Sequence, residues 1–189
     1  IIKIIVLCLV TIKVSAIEKV ILFGDSLMAG YGLPKEQHLS VVLQNSLELE
    51  GHNIKIINGS VSGSTSAGGL NIAEWTLSEN NIDLMILCLG ANDMLRGINP
   101  KETKNNLEEI IKIAKSKNIK IIIAGMIAPT SYGFEYKKSF DKIFSDLSKK
   151  HKLQLIPFLL EGVAQKPEFN LSDGMHPNDQ GTIIISNTL

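Results

Sequence analysis

Five short apolar runs recur along the chain, and the stretches between them are long enough for a helix. They cover residues 19–23, 54–57, 84–89, 119–125 and 153–156. Runs of this length, rich in Val, Ile and Leu and with little polar alternation, are typical of strands that are buried on both faces of a parallel sheet. The spacing therefore predicts parallel strands joined by helices.

Between the runs, apolar positions recur every three or four residues, which indicates helices with one buried face. The predicted helices carry the apolar sets Leu39, Val42, Leu43 and Leu47; Leu107, Ile110, Ile111 and Ala114; and Tyr136, Phe140, Ile143, Phe144 and Leu147. Asn99 and Pro100 match an N-cap and a first-turn proline. Alternating strands and helices predict an α/β fold, a flavodoxin-like three-layer α/β/α sandwich. Trp75 and Met94 are expected to be packing residues.

Small polar residues follow the first three predicted strands. The first strand leads into Gly24-Asp25-Ser26-Leu27, which makes Ser26 a candidate nucleophile. The backbone amide of Gly63, after the second strand, and the side-chain amide of Asn92, after the third, are candidate donors to an oxyanion. Because open α/β folds place their chemistry at the carboxyl edge of the sheet, we expect these groups to converge there.

A carboxylate and an imidazole stand close together near the C-terminus, in Asp173-Gly174-Met175-His176. A serine hydroxyl is a weak nucleophile unless a base takes its proton, and a carboxylate can hold that base in the right tautomer. The pair therefore supplies a base and its orienting acid. One Asp and one His do not make the three-ligand set of a catalytic zinc site, so we expect no metal and no cofactor.

These ordered blocks resemble those of the SGNH (GDSL) hydrolase family, and most closely its thioesterase I, lysophospholipase L1 and arylesterase branch. The resemblance covers nearly all of residues 18–187 and includes Gly30-Tyr31-Gly32-Leu33. Ala91 stands where the branch often has a second glycine. The resemblance implies a five-stranded parallel sheet in the order 2-1-3-4-5 and a serine hydrolase acting on acyl esters or thioesters.

The resemblance also implies the role of each site residue. Ser26 is the nucleophile, His176 the base and Asp173 its orienting acid, and the oxyanion hole is formed by Ser26, Gly63 and Asn92. Asp25 is an alternative acid, although a carboxylate at a strand-to-helix junction more often accepts turn N–H groups. Arg96 is the only arginine of the chain, and the sequence leaves two roles for its guanidinium: it pins the surrounding loop, or it meets an anionic headgroup.

Apolar residues in the loops after the third and fourth strands predict a trough for an acyl chain beside Ser26. They are Met94, Leu95, Ile98, Ile127, Ala128 and Pro129. Acyl esters or thioesters are therefore the first choice of substrate, and the alternative reaction is deacetylation of small esters or carbohydrates. An alternative of another class is a non-catalytic flavodoxin-like protein whose serine-rich loops hold phosphate or flavin.

The composition fits one enzyme domain. The chain has 189 residues, of which 44% are hydrophobic, and its 19 basic residues balance 19 acidic ones. No basic cluster is interleaved with aromatic residues, so nucleic acid is not an expected partner. We expect a monomeric domain over residues 17–189 that binds a small acyl substrate.

The first sixteen residues differ from the rest of the chain. Lys3 precedes a short apolar run that ends in Val14-Ser15-Ala16, the pattern of a secretory signal peptide and its cleavage site. Cleavage after Ala16 removes two of the 19 basic residues, Lys3 and Lys13, and leaves 17 against 19 acidic ones. The apolar run is too short to span a membrane. The sequence therefore predicts a periplasmic or secreted protein without a stable membrane anchor.

Overall fold

A single parallel sheet organises the structure, a computed structural model that describes residues 17–79 and 81–189. Its strands are β1 (Lys19–Gly24), β2 (Lys55–Asn58), β3 (Leu84–Cys88), β4 (Lys120–Ala124) and β5 (Gln154–Ile156). All the pairings are parallel and the order is β2-β1-β3-β4-β5, which confirms the order that the family resemblance implies. Each strand end lies within one residue of its predicted position.

Helices cover both faces of the sheet. They are α1 (Ser26–Ala29), α2 (Leu39–Leu49), α3 (Ser66–Thr76), α4 (Ala91–Leu95), α5 (Pro100–Ser116), α6 (Phe134–His151) and α7 (Asp179–Thr188). Helix α2 packs with α7, whereas α5 packs with α3 and α6. Across the sheet, the chain moves from β1 to β2 in one direction and from β2 through β5 in the other. Right-handed crossovers therefore place the α2–α7 pair on one face and the group α3, α5 and α6 on the other. The predicted three-layer architecture is confirmed.

The core lies between the sheet and the two helical layers. Strands β1 and β3 are buried along nearly their whole length, as expected for the centre of a parallel sheet. The predicted helical faces point inward: Leu107, Ile110 and Phe140 are fully buried. Burial of these apolar side chains is the main stabilising contribution to the fold.

Helix α3 has no counterpart in the sequence prediction, which treats its start as a hydroxyl-rich loop. Its first turns contain adjacent glycines, which weaken the helical signal. The Thr65 hydroxyl caps the helix by accepting a hydrogen bond from the Gly68 amide at 3.1 Å. A Cβ atom at Gly69 would overlap Leu89, so the glycine lets α3 approach the end of β3 closely. Trp75, near the end of α3, is 81% exposed, so the expectation that it packs in the core is wrong.

The predicted signal peptide, residues 1–16, lies outside the described residues. Among the helices of the described part, none is both long and apolar enough to cross a membrane.

Candidate active site

Strand β1 delivers Ser26 to the carboxyl edge of the sheet. This strand lies between β2 and β3, where the chain reverses its direction across the sheet, and open α/β folds bind ligands at such points. A Cβ atom at Gly24 would lie 2.7 Å from the Cys88 carbonyl oxygen, so only glycine lets β1 end this close to β3. Asp25 then caps α1 by accepting a hydrogen bond from the Leu27 amide at 3.1 Å. Ser26 is thereby fixed as the first residue of α1.

The loop before α7 brings Asp173 and His176 to Ser26. The Oδ2 atom of Asp173 lies 2.7 Å from Nδ1 of His176, and Nε2 of His176 lies 2.9 Å from Oγ of Ser26. A carboxylate can only accept a hydrogen bond, so it holds the proton of a neutral imidazole on Nδ1. The lone pair of Nε2 then faces the hydroxyl. In this arrangement the imidazole is able to take the serine proton.

Two backbone amides fix the Asp173 carboxylate. Its Oδ1 atom accepts hydrogen bonds from the Met175 amide at 2.8 Å and from the His176 amide at 3.0 Å. The His176 amide, followed by that of Met175, lowers the pKa of Asp173 from its usual 3.8 to about 2. The carboxylate is therefore ionised at neutral pH. Its contribution to stability is fully present above pH 3.8 and is lost as the pH falls through about 2.

The Tyr31 ring covers one face of the His176 ring. The two ring centroids lie 4.4 Å apart with an interplanar angle of 37°. Gly30 and Gly32, on either side of Tyr31, have φ angles of 85° and 74°, which are the left-handed conformations that glycine adopts most easily. The sequence block Gly30-Tyr31-Gly32-Leu33 thus shapes a turn that places an aromatic ring against the imidazole.

The three residues with the predicted oxyanion donors, Ser26 and Gly63 with their amides and Asn92 with its side chain, line the same cavity. In the described part of the chain, neither of the two backbone amides donates a hydrogen bond to a protein acceptor. The Asn92 Nδ2 atom donates to Oδ2 of Asp25 at 3.3 Å, which uses one of its two N–H groups. The residues predicted for an oxyanion hole therefore line one cavity and have N–H groups to offer.

Asp25 is fully buried beneath these donors. Burial raises the pKa of Asp25 to about 6 from its usual 3.8, although the Leu27 amide and the Asn92 side chain partly oppose that increase. The Asp25 carboxylate accepts hydrogen bonds from the Leu27 amide and the Asn92 side chain, and within the described residues it has none with His176. The structure thus gives Asp25 the structural role, as a cap and as the anchor of Asn92.

Asp93, next to Asn92 on α4, is a further buried carboxylate. It accepts hydrogen bonds from the Ser66 amide at 2.7 Å, the Ser66 hydroxyl at 2.5 Å and the Thr103 hydroxyl at 3.1 Å. Asn106 donates to the same Ser66 hydroxyl at 3.0 Å. Asp93 therefore ties α4, which carries Asn92, to the starts of α3 and α5.

A cavity of about 870 Å³ extends from Ser26 and His176. Its wall includes the predicted Met94, Leu95, Ile127, Ala128 and Pro129, together with Leu27, Met126, Phe158, Leu160, Ala164 and Met175, which the sequence reasoning missed. Ile98 was expected in this wall but does not line the cavity. Its backbone carbonyl instead accepts a hydrogen bond from the Tyr136 hydroxyl at 3.0 Å. Within the described residues, no group of His, Cys, Asp or Glu side chains is arranged to hold a metal ion.

The raised pKa of Asp25 predicts how stability depends on pH. The folded-state pKa of about 6 lies above the unfolded value of 3.8, so the folded protein binds this proton more tightly. The stability that protonation provides is fully present below pH 3.8 and is lost as the pH rises through about 6. The difference corresponds to about 3 kcal/mol. The Asp25→Asn variant should therefore lack this decrease when urea unfolding is followed from about pH 4 to pH 8.

Asp179→Asn, on the first turn of α7, serves as the control. Wild type and Asp25→Asn share every other titrating group, so the difference between their pH profiles isolates Asp25, and Asp179→Asn shows the effect of removing an ordinary carboxylate. Parallel profiles for wild type and Asp25→Asn would show that Asp25 titrates as an ordinary carboxylate.

A hydrogen-bonded serine–histidine–carboxylate chain at the edge of a 2-1-3-4-5 parallel sheet defines a serine hydrolase of the SGNH class. Residues 22–182 match the GDSL-like Lipase/Acylhydrolase family. The chain belongs to this family and is an ester-bond hydrolase.

Individual relatives agree with this assignment. The chain is 38% identical to an arylesterase of Vibrio mimicus, over 87% of this chain and 82% of that protein. It is 31% identical to thioesterase 1/protease 1/lysophospholipase L1 of Escherichia coli strain K12, over 95% of this chain and 85% of that one. A crystal structure of the psychrotrophic esterase EstA from Pseudoalteromonas sp., inhibited by monoethylphosphonate, superposes with a TM-score of 0.86 at 30% identity. It covers 90% of this chain and 93% of EstA.

Proposed function

We propose that the protein hydrolyses esters and thioesters of apolar acyl groups through an acyl-enzyme on Ser26. The observation that carries the proposal is the continuous chain from Asp173 through His176 to the Ser26 hydroxyl, with distances of 2.7 and 2.9 Å. It opens into a cavity with a largely apolar wall. The names of the relatives, which include an arylesterase and a thioesterase, agree with this chemistry.

The first half of the reaction forms the acyl-enzyme. His176 takes the Ser26 proton on Nε2 while Oγ attacks the acyl carbonyl, and Asp173 stabilises the imidazolium that results. The carbonyl oxygen becomes an oxyanion that accepts hydrogen bonds from the Ser26 and Gly63 amides and from Asn92. One such donor is typically worth about 2.7–4 kcal/mol of barrier. Collapse of the tetrahedral intermediate then passes the proton to the leaving alcohol or thiol.

The second half releases the acid. Water enters the place of the leaving group, gives its proton to His176 and attacks the acyl carbonyl. The second tetrahedral intermediate collapses, and the Ser26 oxygen leaves as His176 returns the proton to it. The same donors hold the oxyanion in both halves, so the proposed roles are complete within one chain, and we propose that a monomer is sufficient.

The cavity wall predicts a dependence on acyl-chain length. Each methylene that moves from water into an apolar wall contributes about 0.8 kcal/mol, or about fourfold in kcat/KM where the contact is made in the transition state. We therefore expect kcat/KM to rise from acetyl through hexanoyl to octanoyl esters of p-nitrophenol, and along the matching acyl-CoA series. A series that is highest for acetate would favour the deacetylase alternative. Failure of a fluorophosphonate to label the protein would favour a non-catalytic binding protein.

We also propose that the protein is exported, on the basis of the pattern in residues 1–16. Protein isolated from its native host is then expected to begin at Ile17 when its N-terminus is sequenced. Recovery from the cytosol of a chain that still carries Val14-Ser15-Ala16 would contradict export.

A further inference from the structure

Arg96 connects the two segments that carry proposed oxyanion donors. It follows the last residue of α4, one turn beyond Asn92, and its backbone amide donates to the Asn92 carbonyl at 3.2 Å. Its guanidinium Nη2 donates to the Gly63 carbonyl at 3.0 Å, across 33 positions of the chain. One side chain therefore joins the Gly63 loop to the helix that presents Asn92.

Within the described residues, Gly63 itself has few other restraints. Gly63 has a φ of 77°, and no heavy atom lies within 4 Å of the position that a Cβ atom would occupy. The neighbouring backbone bonds run from the Val61 amide to Gly24 at 3.0 Å and from the Ser64 amide to Val61 at 3.1 Å. Glycine has soft backbone dihedrals, so the direction of the Gly63 N–H depends on what holds the rest of the residue. The hydrogen bond from the Arg96 side chain holds the Gly63 carbonyl.

We propose that Arg96 is a positioning residue that keeps the Gly63 amide directed at the oxyanion. The inference rests on the proposed function, because it assigns a support to one of its oxyanion donors. One N–H of the planar guanidinium makes this contact in a direction that the rigid group fixes, whereas the ammonium of lysine is a flexible point donor, so lysine should replace Arg96 only in part. Arg96 acts through Gly63 and does not contact the reacting atoms.

Replacing Arg96 is expected to lower kcat. With a neutral p-nitrophenyl octanoate substrate, Arg96→Ala should lower kcat by about tenfold to a hundredfold and leave KM nearly unchanged. The loss is smaller than the 10²–10³ typical of deleting a donor outright, because the Gly63 amide is displaced and not removed. Arg96→Lys should recover only part of the activity. Added guanidinium at millimolar concentration should restore part of kcat to Arg96→Ala, whereas sodium chloride at the same ionic strength should not.

Lys101→Ala, which removes an exposed positive charge early in α5, is the matched control and should keep wild-type kinetics. Thermal melting of each variant verifies folding. An Arg96→Ala enzyme with wild-type kcat on the neutral ester would overturn the proposal. A rise in KM confined to acyl substrates with an anionic headgroup would also overturn it, and would make Arg96 a headgroup contact.

The experiments distinguish failure of the proposed function from failure of the positioning role of Arg96. If wild-type protein neither hydrolyses the ester nor reacts with a fluorophosphonate, the proposed function fails. If wild-type protein does both and the Arg96 variants match it, only the positioning role fails.

Discussion

Replacing Ser26 with alanine is expected to abolish ester hydrolysis, with a loss of kcat on the order of 10⁶-fold. The hydroxyl is the nucleophile that forms the acyl-enzyme in the proposed mechanism, and its Oγ lies 2.9 Å from the base, His176. Removing the hydroxyl deletes one hydrogen bond, which is worth about 0.5–1.5 kcal/mol, so the variant should stay folded. Hydrolysis of p-nitrophenyl octanoate and labelling by a fluorophosphonate measure the loss, and circular dichroism verifies the fold.

Ser62→Ala is the matched control for this experiment. Ser62 lines the same cavity, but among the described residues its hydroxyl has no hydrogen bond to an imidazole. The control should keep its labelling and most of its activity. Labelling that persists in Ser26→Ala would place the reactive serine elsewhere.

The strands and the four chemical blocks could be read from the sequence for a physical reason. A parallel strand that is buried on both faces needs a continuous apolar run, so its end is marked by the first small polar residues. Gly24-Asp25-Ser26 and Gly90-Ala91-Asn92 stand at such ends. Since parallel strands all finish at one edge, the pattern alone brings Ser26 and Asn92 to the same side of the sheet. Strand order has no such local signal and came from the family resemblance.

The supports of the site could not be read in this way. Asp93 binds Ser66, and Arg96 binds Gly63, and each pair is separated by 27 or more positions. Hydrogen bonds of this kind depend on how α3, α4 and the Gly63 loop pack together, which no local pattern specifies. The prediction of Ile98 in the cavity wall failed for a similar reason. The residue lies in the expected loop, but its backbone carbonyl accepts a hydrogen bond from Tyr136 on α6 and the residue does not line the cavity.

The pKa values of Asp173 and Asp25 differ in a way that fits different roles for the two carboxylates. Asp173 accepts hydrogen bonds from two backbone amides, which lower its pKa to about 2. Burial raises the pKa of Asp25 to about 6. A carboxylate that must stabilise an imidazolium has to be ionised at neutral pH, and Asp173 meets this condition by the wider margin. The geometry agrees, because Asp173 and not Asp25 bonds to the His176 ring.

Asp173→Asn is therefore expected to reduce kcat by about 10⁴-fold at neutral pH, the second large effect. The amides of Met175 and His176 both donate to Oδ1, so they should hold the amide oxygen of asparagine in that place. The asparagine NH₂ group then faces Nδ1 of His176 and donates to it. Nδ1 becomes an acceptor, the ring proton moves to Nε2, and Nε2 is no longer able to accept the proton of Ser26.

This mechanism makes the asparagine variant informative beyond its loss of rate. The loop keeps its two backbone hydrogen bonds, so melting should be nearly unchanged and KM should change far less than kcat. Asp179→Asn, which removes a carboxylate from the first turn of α7, should behave as wild type. In a crystal or NMR structure of Asp173→Asn, the His176 ring should remain in place with its proton on Nε2. Wild-type kcat in this variant would show that Asp173 does not orient the base, and Asp25 would be the next acid to replace.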